Sequence, residues 1–344
     1  MQKNFFYLGI GLLLGGLLLL ALLVFKIDPL QQFGSNEYGK GEQRLLNPGI
    51  AKNYNYKVAV IGTSTSENIL KKDLERLFNK EAINLSISGS TNYEQRRLLE
   101  IILQAKKVNT IIYGLDVFSY NTELNESRVP LQEFVYKDSK IAKIKYLYNF
   151  EILKNVLKGI IEEKNYNWLE SYSYWGDNHT YLKDKVLNFN SDTPWGFQNT
   201  NELSELKKGY SYKKMKENFD EFYKLIEFNP QVEYKIYFPP YSSIWWYFVE
   251  KYNCLEDILK FKYYVINKLK NQKNVAVYDF QFKENITDNL DNYKDVIHYG
   301  PMINKEIIVT IKNTPNLLEE NPDLNYEIRQ KREYIKLIKE KYNL

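Results

Sequence analysis

Ser64, His298 and Asp295 are the residues of this chain whose types could perform covalent chemistry together. Ser64 lies in KVAVIGTSTSENIL, Lys57–Leu70, where a short apolar run stops at Gly62 and small hydroxyl-bearing residues follow. His298, one of two histidines, comes three residues after Asp295 in the stretch DNYKDVIHY. A serine hydroxyl is a weak nucleophile until a neighbouring base takes its proton, and an imidazole does so best when a carboxylate fixes its tautomer. Alone, Ser64 reads either as a nucleophile at the end of a strand or as a helix cap. Ser66, directly before Glu67 and a periodic apolar run, is the better cap and leaves Ser64 free. Asp295 is close enough to turn back onto the His298 ring within one tight loop, which Gly300-Pro301 ends.

The elements that must position these residues alternate in type. Short apolar strands are expected at Val58–Ile61, Ala82–Ile87 and Val108–Leu115, with helices over Glu67–Asn79 and Tyr93–Ala105 between them. The theme returns at Glu233–Phe238, followed by Pro239-Pro240, a helix over Ile244–Leu269, a strand at Val275–Tyr278 and a last core helix over Met302–Ile311. Strands alternating with helices indicate βαβ units and a mostly parallel sheet. Ligands of such sheets gather beyond the carboxyl ends of the strands. Three polar turns fall there: Gly62-Thr63-Ser64, Ser88-Gly89-Ser90 and Gly114-Leu115-Asp116. Backbone amides at Ser64 and Gly89 could stabilise an oxyanion.

The N-terminus carries FFYLGIGLLLGGLLLLALLVF, Phe5–Phe25, with no charge. At about 1.5 Å per residue this run is long enough to cross a bilayer core. No small-residue cleavage site comes after it, so an uncleaved anchor over residues 1–30 is expected, with the rest of the chain on one side of the membrane. Residues 31–55 read as a juxtamembrane linker, 56–312 as the α/β domain with a helical insertion at about 120–228, and 313–344 as a charged helical tail. The chain has 47 basic and 43 acidic residues, a near balance that does not suggest a nucleic-acid partner. A single cysteine, Cys254, excludes an intrachain disulfide and reads as a buried structural thiol. Two distant histidines nominate no metal centre, and no cofactor is expected.

The glycine-serine turn after the first strand, Gly89, Gly114-Leu115-Asp116 and Asp295-x-x-His298 together resemble the SGNH/GDSL hydrolase superfamily over roughly residues 56–312. More closely, the chain is similar to membrane-anchored bacterial members such as the DltD-like proteins of teichoic-acid D-alanylation and polysaccharide O-acetyltransferases. The resemblance implies a three-layer α/β/α sandwich. It makes Ser64 the nucleophile, His298 the base and Asp295 its orienting acid, with the Ser64 and Gly89 amides and the third-block residue, Asp116, at the oxyanion hole. The superfamily usually has asparagine at that last position, and an ionised carboxylate there would oppose catalysis, which leaves Asp116 to be protonated, turned away or used to orient another group.

The same resemblance implies O-acyl transfer, acetyl by analogy, to a cell-surface glycopolymer from a bacterial membrane anchor, with the domain extracellular or periplasmic. A multi-spanning membrane O-acyltransferase would supply the acyl group. The alternatives are an esterase with the same triad and a non-catalytic glycopolymer-binding or assembly subunit. Trp175, Trp195, Tyr241 and Trp245 are the aromatics that could stack on sugar rings. His179 reads as a loop histidine.

Overall fold

In the computed structural model five strands form one parallel sheet in the order β2-β1-β3-β4-β5. They are β1 (Val58–Ile61), β2 (Ala82–Asn84), β3 (Thr110–Gly114), β4 (Glu233–Phe238) and β5 (Val275–Asp279). The structure describes residues 2–34, 39, 41–161, 168–187, 206–281, 283–315 and 323–344. Every residue of β1, β2 and β3 is buried, which is why these strands read as unbroken apolar runs rather than as alternating ones.

The chain moves outward from β1 to β2, then reverses past β1 to β3, β4 and β5. With right-handed crossovers, that reversal puts helices on both faces of the sheet. The α/β/α class expected from the sequence is the one observed. Reversal also makes a crevice beyond the carboxyl ends of β1 and β3, where ligands of doubly wound sheets bind.

Two units make up the chain. One comprises residues 1–55, 100–106 and 129–172; the other, 56–99, 107–128 and 173–344, contains the sheet. The stretch 120–228, read from the sequence as one insertion, is thus divided between them.

In the first unit a helix runs from Gln2 to Ile27 and is long and apolar enough to cross a membrane. Only its end is covered, at Ala21 and Val24. Beyond it the Asp28 carboxylate accepts the Gln32 and Phe33 amides at 2.8 and 2.7 Å, and the Tyr146 hydroxyl at 2.9 Å. The segment 31–55, expected to be a linker without periodic structure, contains the helix Gln43–Asn53, which carries Pro48.

In the sheet unit, the helix expected over Ile244–Leu269 is two, Ser243–Lys251 and Leu255–Leu269. Asn253 breaks it by taking a left-handed φ of 55°, which asparagine tolerates better than most residues. The C-terminal helix Leu324–Tyr342 packs on both of these helices.

Candidate active site

β1 ends at Ile61, and the chain turns through Gly62 into a short 3-10 turn, Ser64–Ser66. Gly62 is required by close approach: a Cβ there would lie 2.3 Å from Ser66 Oγ. A Cβ on Gly114, at the end of β3, would lie 2.4 Å from the same hydroxyl. Ser66 Oγ is itself hydrogen-bonded to the Tyr237 hydroxyl at 2.7 Å.

Ser66 is therefore not a helix cap, as the sequence suggested, but the filler beneath the turn. Thr63 is the cap of the 3-10 turn, and the next helix begins only at Lys71. Between them, Asn84 from the end of β2 donates to the carbonyls of Ser66 and Ile69, at 2.8 and 2.9 Å.

Ser64 Oγ lies 2.8 Å from His298 Nε2. On the other side of the ring, His298 Nδ1 is 2.8 Å and 3.0 Å from the two Asp295 oxygens. Asp295 Oδ1 also accepts the Ile297 and His298 amides, at 3.0 and 2.8 Å, so the carboxylate shapes the loop that carries its own histidine. That loop is closed by an antiparallel bridge between Tyr293 and Tyr299. It is fastened below β4, where Ser242 Oγ donates to the Val296 carbonyl at 2.7 Å and the Tyr293 hydroxyl to the Pro240 carbonyl at 2.8 Å. Burial alone would push the Asp295 carboxyl up. The charge and hydrogen bonds of His298, with Lys294 beside it, outweigh burial and hold it below the ordinary aspartate value.

The three residues singled out from distant parts of the sequence thus stand in the order hydroxyl, imidazole, carboxylate. Among the described residues the amides of Ser64 and Gly89 donate to no hydrogen bond, leaving both free for an oxyanion. Gly89 holds a left-handed φ of 55°. Its turn is steadied by a Thr91–Glu94 capping box, with the Thr91 amide donating to Glu94 Oε2 at 3.0 Å and the Glu94 amide to Thr91 Oγ1 at 3.3 Å.

Of the courses open to Asp116, the structure shows it orienting other groups. It is fully buried, and both oxygens are engaged: Oδ2 accepts from Thr63 Oγ1 at 2.5 Å and Thr65 Oγ1 at 2.8 Å, and Oδ1 from the Tyr241 hydroxyl at 2.7 Å. Burial pushes its carboxyl above the ordinary value despite these hydrogen bonds. Asp116 is thus clasped by the two threonines that flank Ser64, and through them it positions the turn that carries that serine. Thr63 and Thr65 went unmarked in the sequence because hydroxyl residues after a strand look like ordinary turn material.

Tyr241 and Trp245, candidates for sugar stacking, are core residues instead, with exposures of 0% and 1%. Their rings pack against each other at 4.3 Å, and the Tyr241 hydroxyl is committed to Asp116. Trp195 lies outside the described residues. Trp175 does reach the site. Its indole Nε1 donates to the Ser64 carbonyl at 3.3 Å, and its ring stands edge-on to His298 with centroids 5.7 Å apart. Lys294 Nζ sits 4.0 Å from the centroid of the indole, and His179 packs edge-on against that ring at 5.3 Å. The segment bearing Trp175 is seated by close backbone approaches. A Cβ on Gly176 would lie 2.2 Å from Pro301 Cγ, and one on Gly300 would lie 3.2 Å from the Tyr181 ring. Under this cover Ser64 is only 8% exposed.

No family model matches this chain, and no curated protein does. Among solved structures it is similar to one provisionally described as a platelet activating factor from Streptococcus pneumonia. The identity is 13%, over 89% of this chain and 98% of that one, with a TM-score of 0.36.

Proposed function

We propose that this chain is a membrane-anchored enzyme of the SGNH type that transfers an acyl group, acetyl in our reading, through Ser64 to a hydroxyl of an extracellular or periplasmic glycopolymer. One observation carries the proposal: the Ser64 hydroxyl, the His298 ring and the Asp295 carboxylate are joined in series by hydrogen bonds of 2.8 Å.

Ser64 Oγ attacks the carbonyl carbon of an acyl ester while its proton passes to His298 Nε2, and the carbonyl oxygen becomes an oxyanion facing the Ser64 and Gly89 amides. Collapse breaks the bond to the donor's alkoxide oxygen, which leaves with the proton from His298. The acceptor hydroxyl then gives its proton to His298, attacks the acyl-serine and releases Ser64, to which the proton returns. Asp295 stabilises the imidazolium in both halves and holds Nδ1–H towards itself. Water in the acceptor's place gives hydrolysis. The shielding of Ser64 under Trp175 favours a bound acceptor over bulk water.

The apolar helix Gln2–Ile27 supports a site of action at the cell envelope, where an acyl donor delivered through the membrane by a multi-spanning acyltransferase would meet the tethered domain. The test uses the full chain in lipid nanodiscs with an activated acetyl ester and a mixture of short neutral oligosaccharides. Ser64-dependent acetyl ester on the sugar is expected, rising with acceptor concentration at the expense of free acetate. Free acetate alone, at every acceptor concentration, would make the protein a hydrolase.

A further inference from the structure

We infer that the helices Lys140–Leu147 and Phe150–Ile161 form a platform that lies on the lipid surface beside the membrane-spanning helix. Both pack on the helix Gln2–Ile27, and only the end of that helix is covered, at Ala21 and Val24 next to Lys26. The join is fixed by Tyr146, whose hydroxyl donates to Asp28 Oδ1 at 2.9 Å and accepts the Leu30 amide at 3.1 Å. The two helices are thereby held where the apolar span ends and the polar chain begins, the level of a bilayer interface.

Each helix carries two apolar stripes, and only one of them is used. On the first, Ala142 and Tyr146, four residues apart, are buried against the unit, whereas Ile141, Ile144 and the C-capping Tyr148 form a second stripe at 69%, 56% and 52% exposure. On the second, Ile152 and Val156 point inward, while Phe150 and Leu157 are bare at 75% and 50%. Exposed lysines flank the bare stripes: Lys140 and Lys145 on one helix, Lys154 on the other. A helix with one bare apolar face and lysines along its borders suits an interface, where apolar groups sink about 5–10 Å and ammonium groups reach anionic headgroups. Contiguity with the spanning helix selects lipid as the occupant rather than a second protein.

This inference rests on the anchor, so its test reads anchor and platform separately. Full-length protein carrying Cys254→Ala, with a single cysteine introduced by Leu14→Cys, Lys143→Cys, Ile144→Cys or Phe150→Cys, is labelled with a fluorophore and placed in nanodiscs of mixed neutral and anionic phospholipid. Emission is then quenched by nitroxide lipids, labelled either near the glycerol or at the tail end, or by an aqueous quencher. Labels at positions 144 and 150 should lose most of their emission to the shallow lipid nitroxide and little to the aqueous agent. Position 143, on the same helix but off the bare stripe, should show the reverse, and position 14 should respond to the deep nitroxide. Aqueous quenching at 144 and 150 equal to that at 143, with position 14 still deep, would overturn the platform and leave the anchor. Protection of 144 and 150 from both agents would assign the face to a second copy of the chain and also overturn it. Water access at position 14 would remove the anchor, and the platform with it.

Discussion

Asp116 and Asp295, two aspartates of one site, are pushed in opposite directions by their surroundings. Burial raises Asp116, whose three hydrogen bonds all come from neutral hydroxyls. Asp295 is also disfavoured by burial, but it faces His298 and Lys294 and ends below the ordinary value. Their effects on stability have opposite signs. A carboxyl lowered by folding contributes stability that is present above the ordinary aspartate value and is lost as pH falls through its folded value. A raised carboxyl does the reverse: the folded state holds the proton more tightly, so stability falls as pH rises through the ordinary range towards its folded value. Asp116→Asn keeps the shape and can still partner all three hydroxyls, but it has nothing to ionise. Thermal unfolding across acid and neutral pH should therefore show the variant with a flatter loss of stability on the way to neutrality than the parent. A variant that instead loses more stability at neutral than at acid pH would mean that the buried carboxyl is ionised in the fold.

At the scale of elements, Ser64 and the Asp295–His298 pair come from two loops, and the Trp175 segment that covers Ser64 is held where Gly176 meets Pro301. Gly176→Ala would force a Cβ to within 2.2 Å of Pro301 Cγ. Overpacking of this kind costs about 1–3 kcal/mol, and the shift would carry Trp175 away from the Ser64 carbonyl. Chemical denaturation should show that loss, and acylation of Ser64 should slow with it; a variant unchanged in both would contradict this role for the segment. The strands were legible from the sequence because buried parallel strands are short, continuous apolar runs, and Val58–Ile61 and Glu233–Phe238 fall where they were expected. Less legible were the places where a side chain replaces a backbone partner. Asn84 ends β2 early by turning to the Ser66–Ile69 backbone, and Asn253 splits a helix that apolar periodicity joins. Ser64, His298 and Asp295 could be named because few residue types do this chemistry and few positions come directly after a strand. Tyr241 and Trp245 misled because an aromatic after a strand looks the same in sequence whether it lines a crevice or fills the core beneath it.

For the whole molecule, the sheet unit carries Ser64, His298 and Asp295, and the first unit carries the apolar helix Gln2–Ile27 and the two helices packed on it. The central claim joining them to a function is that Ser64 takes an acyl group and His298 releases it. Intact mass of the full chain in nanodiscs, after brief exposure to an activated acetyl ester, tests that claim most directly. Wild type should gain one acetyl group and lose it again, Ser64→Ala should gain none, and His298→Ala, once acetylated, should keep the adduct longer. Folded wild-type protein that acquires no Ser64-dependent adduct, or a His298→Ala adduct that decays as fast as the parent's, would contradict it.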